Sequence, residues 1–330
     1  MHTIRWLTLL SILGGGCNQS LDNTQGNSSG EFACIALDSN DIITYRTGRG
    51  ALLGTRFKSL EELKSVIQIE YYPGTNVADS TAPDNYYVRV RHCSNGRAVI
   101  SVLETGTSQG DLYKAGYGGT IRDRLFLPFR CPYAVMNRKD LENAYNLSRW
   151  RPGWFGEGDV AFFDIAKSAA ENINTPDMAF RNARDSTEKG YLNTFNHITA
   201  QAFLTSCFSE ELADFIADSH ERYRHPELIT GKFTEKQLTD LEEGPVDNYV
   251  DLINNEWGQE LGKQLREKYG INRETNWTPE LLTNYLNDLQ RYFSWAFQIG
   301  FEPFRPEDKE VVRFSNKLDV ILRSRLNIDK

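Results

Sequence analysis

The chain has 330 residues, a length that sets a prior of about two domains. Hydrophobic residues make up 40% and charged residues 25%, which excludes bulk disorder, a collagen-like chain and a multispan membrane protein. With 37 basic against 45 acidic residues the net charge is −8, a balance that argues against general nucleic-acid binding, so no nucleic-acid partner is expected.

Residues 1–17 have the build of an export signal, with Arg5, an apolar run from Trp6 to Leu13, then Gly14, Gly15, Gly16 and Cys17. Small residues running into a cysteine resemble the lipobox of bacterial lipoproteins, which implies cleavage before Cys17 and lipidation of that residue. Residues 18–30 are rich in Asn, Gln, Ser and Gly and have the composition of a flexible tether. Removing 1–16 takes away Arg5 and no acid, leaving 36 basic against 45 acidic residues. Attraction of so acidic a chain as a whole to an anionic leaflet is not expected, so the expected membrane attachment is the N-terminal lipid. The expected location is the bacterial cell envelope or surface, lipid-anchored, or the exterior as a secreted protein if Cys17 is not lipidated.

Beyond Cys17 stand Cys34, Cys93, Cys131 and Cys207. In an oxidising compartment four cysteines allow three pairings, of which Cys93 with Cys131 is the expected one. No CxxC occurs, so a cysteine zinc site is not expected.

Residues 31–145 are expected to form a β-rich domain, with strands over 42–45, 66–72, 86–91 and 98–103. Asn95-Gly96 between alternating segments predicts a hairpin turn. Ser59 and Glu62 predict a capped helix before Leu60, Leu63 and Val66. The glycine-rich stretch 105–120 lacks a phosphate-loop ending and reads as a mobile loop. Residues 146–158 are expected to be a packed inter-domain strap, on the evidence of Trp150 and Trp154.

From 159 to 330 the periodicity becomes helical. Helices are predicted over 159–173, 176–189, 192–207, 210–222, 235–241, 246–268, 279–299 and 307–326, with starts at Thr234/Gln237 and at Thr278-Pro279. The fold class is therefore α+β, an N-terminal β-rich domain followed by a larger all-α helical domain.

Polar residues cluster in the helical part. Asn193, His197 and Gln201 recur every four residues on one helix face. His220-Glu221 follow near the end of the next helix. Asp251, Asn254, Asn255 and Gly258 then fall at i, i+3, i+4 and i+7, beside an apolar face of Val250, Ile253, Trp257 and Leu261. Asn and Asp are poor residues for a helix interior, so packing or function must compensate them.

The arrangement of His197, His220-Glu221 and Asp251-x-x-Asn254-Asn255-x-x-Gly258 resembles an uncharacterised helical domain family of bacterial exported and toxin-associated proteins. The resemblance covers about 194–262, with Asn196 and Gln259 standing where that pattern has Arg. It implies a site at those residues and names no reaction.

Two imidazoles with carboxylates suffice for a divalent metal with open positions, held by His197, His220 and Asp251, or for general acid–base work by His197, His220, Glu221 and Asp251. HExxH is absent, since Arg224 stands where the second His would be. GxSxG and SxxK are absent as well. The sequence favours a satisfied buried network in which His197, His220, Asp251, Asn254 and Asn255 hold three helices in register; Asn193, Gln201, Asn254, Asn255 and Gly258 are the candidate binding residues. The alternative is a hydrolase-like pocket. A second alternative is a cell-surface binding module for a protein partner, presenting Tyr71, Tyr72, Tyr86 and Tyr87.

Overall fold

The computed structural model of the chain describes residues 50–73, 86–94, 96–172, 183–292 and 302–326. The signal 1–17 with Cys17, the tether 18–30, Cys34 and the expected strand 42–45 lie outside them, as does the first half of the expected helix 176–189. Within them the chain is mostly helical and carries one small antiparallel sheet. That makes it α+β in outline.

The sheet has β1 (Ile67–Tyr72), β2 (Tyr87–Ser94) and β3 (Arg97–Glu104) in the order β1-β2-β3. Register follows from the hairpin: Ser94 pairs with Arg97, and Gly96 has φ +74°, the left-handed conformation that the turn requires and glycine supplies cheaply. Alternation then sends Val88, Val90 and His92 of β2 and Val99, Ser101 and Leu103 of β3 to one buried face. Of the tyrosines considered as a binding surface, Tyr71 and Tyr86 are exposed, and three make contacts within the chain. Tyr72 stacks on Tyr87 with ring centroids 4.5 Å apart, and the Tyr71 and Tyr249 hydroxyls share a hydrogen bond of 2.8 Å.

The helices, in chain order, are α1 (Leu60–Leu63), α2 (Gln109–Tyr113), α3 (Ile121–Arg130), α4 (Pro132–Met136), α5 (Arg138–Ser148), α6 (Pro152–Phe155) and α7 (Phe162–Asn172). They continue with α8 (Asn193–Cys207), α9 (Glu210–Arg224), α10 (Glu235–Thr239), α11 (Pro245–Tyr269), α12 (Pro279–Tyr292) and α13 (Lys309–Leu326). Caps explain several starts. Ser59 accepts from the Glu62 N–H at 3.2 Å, Thr234 and Gln237 form a capping box, and Thr278 accepts from the Leu281 N–H ahead of Pro279.

Three expectations are corrected. The β-rich span 31–145 is helical from Gln109 to Ser148. The glycine-rich stretch 105–120 is not an irregular loop, because Ser108 and Asp111 form a capping box that starts α2, and a π-turn over Lys114–Gly118 follows. The strap 146–158 leaves both its tryptophans exposed; what packs it is Lys317 of α13, whose buried ammonium donates to the Arg149 and Val160 carbonyls and to Asp159, each at 2.9 Å.

A continuous apolar core runs from Leu52 and the sheet residues Val88 and Val90 through α8 and α11 to Phe314 and Leu318 of α13. Its aromatic centre gathers Phe162, Phe203, Trp277, Tyr285 and Phe314. Cys93 and Cys131 are each disulfide-bonded, whereas Cys207 is a buried thiol. Among the described residues no helix is long and apolar enough to cross a membrane.

Candidate functional site: a polar ladder between two helices

Helices α8 and α11 lie side by side and run in the same direction, so residues 58 positions apart face each other. Asn193 Nδ2 donates to Asp251 Oδ1 at 3.0 Å, His197 Nδ1 meets Asn255 Oδ1 at 3.0 Å, and Gln259 Nε2 donates to Gln201 Oε1 at 3.2 Å. These are three rungs at four-residue steps, the period at which a helix returns to the same face. One turn further, Ser206 Oγ donates to the Gly262 carbonyl at 2.8 Å.

The rungs are this short because glycine lets the backbones approach. A Cβ on Gly258 would lie 2.8 Å from Gln201 Cβ and 2.9 Å from the Ile198 carbonyl oxygen, and one on Gly262 would lie 2.6 Å from the Ala202 carbonyl oxygen. Gly258, expected as a binding residue, is thus a point of close packing. Asn254 faces elsewhere: fully buried, it accepts from the Leu52 N–H at 2.8 Å and donates to the Leu52 carbonyl at 2.9 Å. That pair of bonds fixes the start of the described chain against α11.

The ladder is closed at one end and open at the other. Gln201 and Gln259 are buried, whereas the His197 side chain keeps 21% of its surface. A carboxamide oxygen can only accept, so His197 donates from Nδ1 to Asn255 and presents the lone pair of Nε2 to Asp251 Oδ2, 3.4 Å away. A proton must sit between those two atoms for them to attract. Burial pushes the Asp251 carboxyl up to about 7 against the hydrogen bond from Asn193, and burial lowers His197. The pair therefore holds one proton near neutrality.

Two residues not anticipated from the sequence extend this end. Asp247, one turn before Asp251, is raised to about 8 by burial and then by Asp251, with Lys189 opposing from 3.7 Å. Their sequence signal was available only as an i, i+4 pair with Asp251, since nothing in the spacing pointed to Lys189. Glu221 of α9 is buried, and its Oε2 is wholly enclosed with no hydrogen-bond partner among the described residues. Burial raises its carboxyl well above the ordinary range, and Asp251, Asp218 and Asp247 add to that.

His220 turns its Nδ1 to Gln109 Oε1 at 3.0 Å, and burial lowers it to about 4, with His197 contributing. Among the described residues no group of three or more His, Cys, Asp or Glu side chains is disposed to hold a metal ion. The expected ligand set of His197, His220 and Asp251 is thus not assembled: His197 Nε2 lies 3.4 Å from Asp251 Oδ2, and His220 is engaged by Gln109. Neighbouring Arg222 donates to the Glu104 carbonyl and to Asp218, each at 2.6 Å, tying α9 to the sheet. Trp257 Nε1 donates to His92 Nδ1 at 3.0 Å, a buried link from α11 to β2 that no sequence pattern marked.

No family model, curated protein or solved structure matches the chain.

Proposed function

We propose that the chain is an exported protein of the bacterial cell envelope, anchored through lipid on Cys17, whose helical half carries an acid–base site of hydrolytic type at the open end of the ladder. In this reading the N-terminal β-rich domain stands between the tether and the larger helical domain. The observation that carries the site is Glu221. Its Oε2 is enclosed without a hydrogen-bond partner among the described residues; an unpaired buried polar group costs about 1–3 kcal/mol, and a strongly raised carboxyl beside other acids is a candidate for proton transfer. Beside it, the Asp251–His197 pair shares a proton and meets solvent through His197. Glu221 gives or takes the proton, and His197 with Asp251 sets the charge around it.

Glu221→Gln keeps the shape and removes the titration. The expected result is that the mature chain hydrolyses one class in a panel of chromogenic esters, phosphoesters, glycosides and peptides, and that the variant loses about 100-fold or more in kcat. Thermal unfolding should show it at least as stable as the parent, because the amide replaces a protonated acid. Failure of the parent to turn over any class, or equal activity in the variant, would overturn the reading. Lipidation is tested separately, by incorporation of labelled fatty acid in a bacterial host and its loss in Cys17→Ser.

A second reading, a structural ladder that fixes helix register, is favoured at the closed end by the contacts of Gly258 and Gly262 and by the dry Asn254.

A further inference from the structure

Helix α3 has no buried residue over its ten positions, yet its sequence is Ile-Arg-Asp-Arg-Leu-Phe-Leu-Pro-Phe-Arg. At about 100° per residue, Asp123 and Leu127 fall on one side. They are the half-buried positions, so that side faces the protein. Leu125 then points directly away, flanked by Ile121 and Phe129 one turn to either side. Their exposures of 57%, 74% and 75% agree with that placement. Phe126 is exposed at 52%, and Tyr117 of the preceding π-turn at 72%.

An apolar stripe of this kind needs a partner, and the charge around it indicates which. Over 114–130 the chain carries Lys114, Arg122, Arg124 and Arg130 against Asp123 alone, all four cations exposed, in a protein whose net charge is −8. A short helix with an outward apolar stripe, aromatic rings and flanking arginines has the composition of an element that lies in a bilayer interface. An acidic protein partner would match the cations but would leave the stripe without a groove to enter.

We propose that α3 is a membrane-docking element that lays Ile121, Leu125 and Phe129 into the surface of an anionic bilayer, with its arginines at the headgroups. Over its length of about 15 Å it would give the folded body a second point of attachment. One acyl anchor combined with a basic patch holds far better than either alone. The inference draws on the envelope reading only for the source of the bilayer; the contact itself needs no lipid on Cys17.

The experiment uses the mature chain from residue 17 with Cys17→Ser, so that no acyl group contributes. Its flotation is compared on vesicles of phosphatidylcholine alone and of phosphatidylcholine with phosphatidylglycerol. We expect binding to the anionic vesicles that weakens with salt, a loss of at least about tenfold in Leu125→Glu/Phe129→Glu, and a comparable loss in Arg122→Glu/Arg124→Glu. Both double variants change exposed side chains, and unaltered far-ultraviolet circular dichroism checks that they fold. No binding to either vesicle, or binding that the variants leave intact, would overturn the proposal. So would a concentration-dependent dimer in light scattering that Leu125→Glu/Phe129→Glu abolishes without any vesicle binding, which would assign the stripe to a second copy. Lack of lipid on Cys17 in the labelling experiment would leave this outcome unaffected.

Discussion

Helices α11 and α3 break the usual partition of side chains in opposite senses. In α11, 17 of 25 residues are buried, and they include Asp247, Asp251, Asn254, Asn255 and Gln259. In α3 no residue is buried, and the exposed ones include Ile, Leu and Phe. Buried polar groups are tolerated when each finds a partner, and α11 supplies them from α8 and from Leu52. The exposed apolar groups of α3 find no such partner among the described residues. The contrast teaches that polarity by itself predicts neither burial nor exposure, and that the available partner decides.

The largest break in this comparison should come from Asn254→Leu. Leucine has nearly the same size, but it leaves the buried N–H of Leu52 without its partner and the Leu52 carbonyl with the Thr194 hydroxyl alone. At about 1–3 kcal/mol for the orphaned N–H and about 1 kcal/mol for the bond lost at the carbonyl, the expected loss by chemical denaturation is about 2–4 kcal/mol. Asn255→Leu should cost less, about 1–3 kcal/mol, because the His197 donor it abandons sits at the solvated end. A loss below about 1 kcal/mol for Asn254→Leu would mean that the Leu52 segment is held by other contacts. Next in size is Gly262→Ala. Its new methyl meets backbone atoms of Ala202, which cannot swing aside, so α8 and α11 must separate. The expected cost is about 1–3 kcal/mol. Gly116→Ala has nothing within 4 Å of its new methyl and serves as the control.

Much of α11 was legible in the sequence. The four-residue spacing placed Asn193, His197 and Gln201 on one face, and the stripe from Asp251 placed Asp251, Asn255 and Gly258 on the face that meets them, whereas its fourth member, Asn254, turns to Leu52. Periodicity names a face, though, and not what lies opposite it. That Asn254 would grip Leu52, 202 positions away, and that Lys189 would approach Asp247 are products of tertiary packing. The hairpin was legible because Asn-Gly demands one backbone geometry. Residues 109–148 were misread because glycine and proline argue against helices, whereas the boxes at Ser108 and Thr120 that start α2 and α3 are short signals inside a glycine-rich stretch. Trp150 and Trp154 were assigned to packing from their bulk, and bulk alone carries no information about a partner.

A smaller effect, and one specific to the open end of the ladder, is expected from pH. Asp247 is raised to about 8 and Asp251 to about 7, so both bind a proton in the fold that the unfolded chain has already released. Their contribution is complete below the ordinary aspartate value near 4 and is lost as pH rises through 7 to 8. His220 has the opposite sign: lowered to about 4, its contribution is present above pH 6.5 and is lost as pH falls toward 4. Between pH 6.5 and 8 the raised carboxyls give up their protons in the fold while the unfolded histidines give up the last of theirs, a smaller opposing change, so stability should decline there by about 1–2 kcal/mol at 1.36 kcal/mol per pH unit per proton. Asp247→Asn should flatten that decline. A parent whose stability is constant or rises over the interval would show that Lys189 holds Asp247 ionised, and would remove the shared-proton description of this end.

The smallest expected effect falls on α3 and sharpens the contrast most. Leu125→Glu in α11's environment would be ruinous, since burying an unpaired carboxylate is costly. At position 125 the side chain already stands in water, so the exchange should change unfolding stability by no more than about 0.5 kcal/mol. The glutamate sits one turn from Ile121 and Phe129, on the side opposite the half-buried Asp123 and Leu127, and disturbs neither the Thr120 cap nor the contact with the body. Chemical denaturation of the single variant measures this directly. A loss above about 1 kcal/mol would mean that Leu125 is packed against the protein in solution, and that the apolar stripe of α3 already has its partner within the chain.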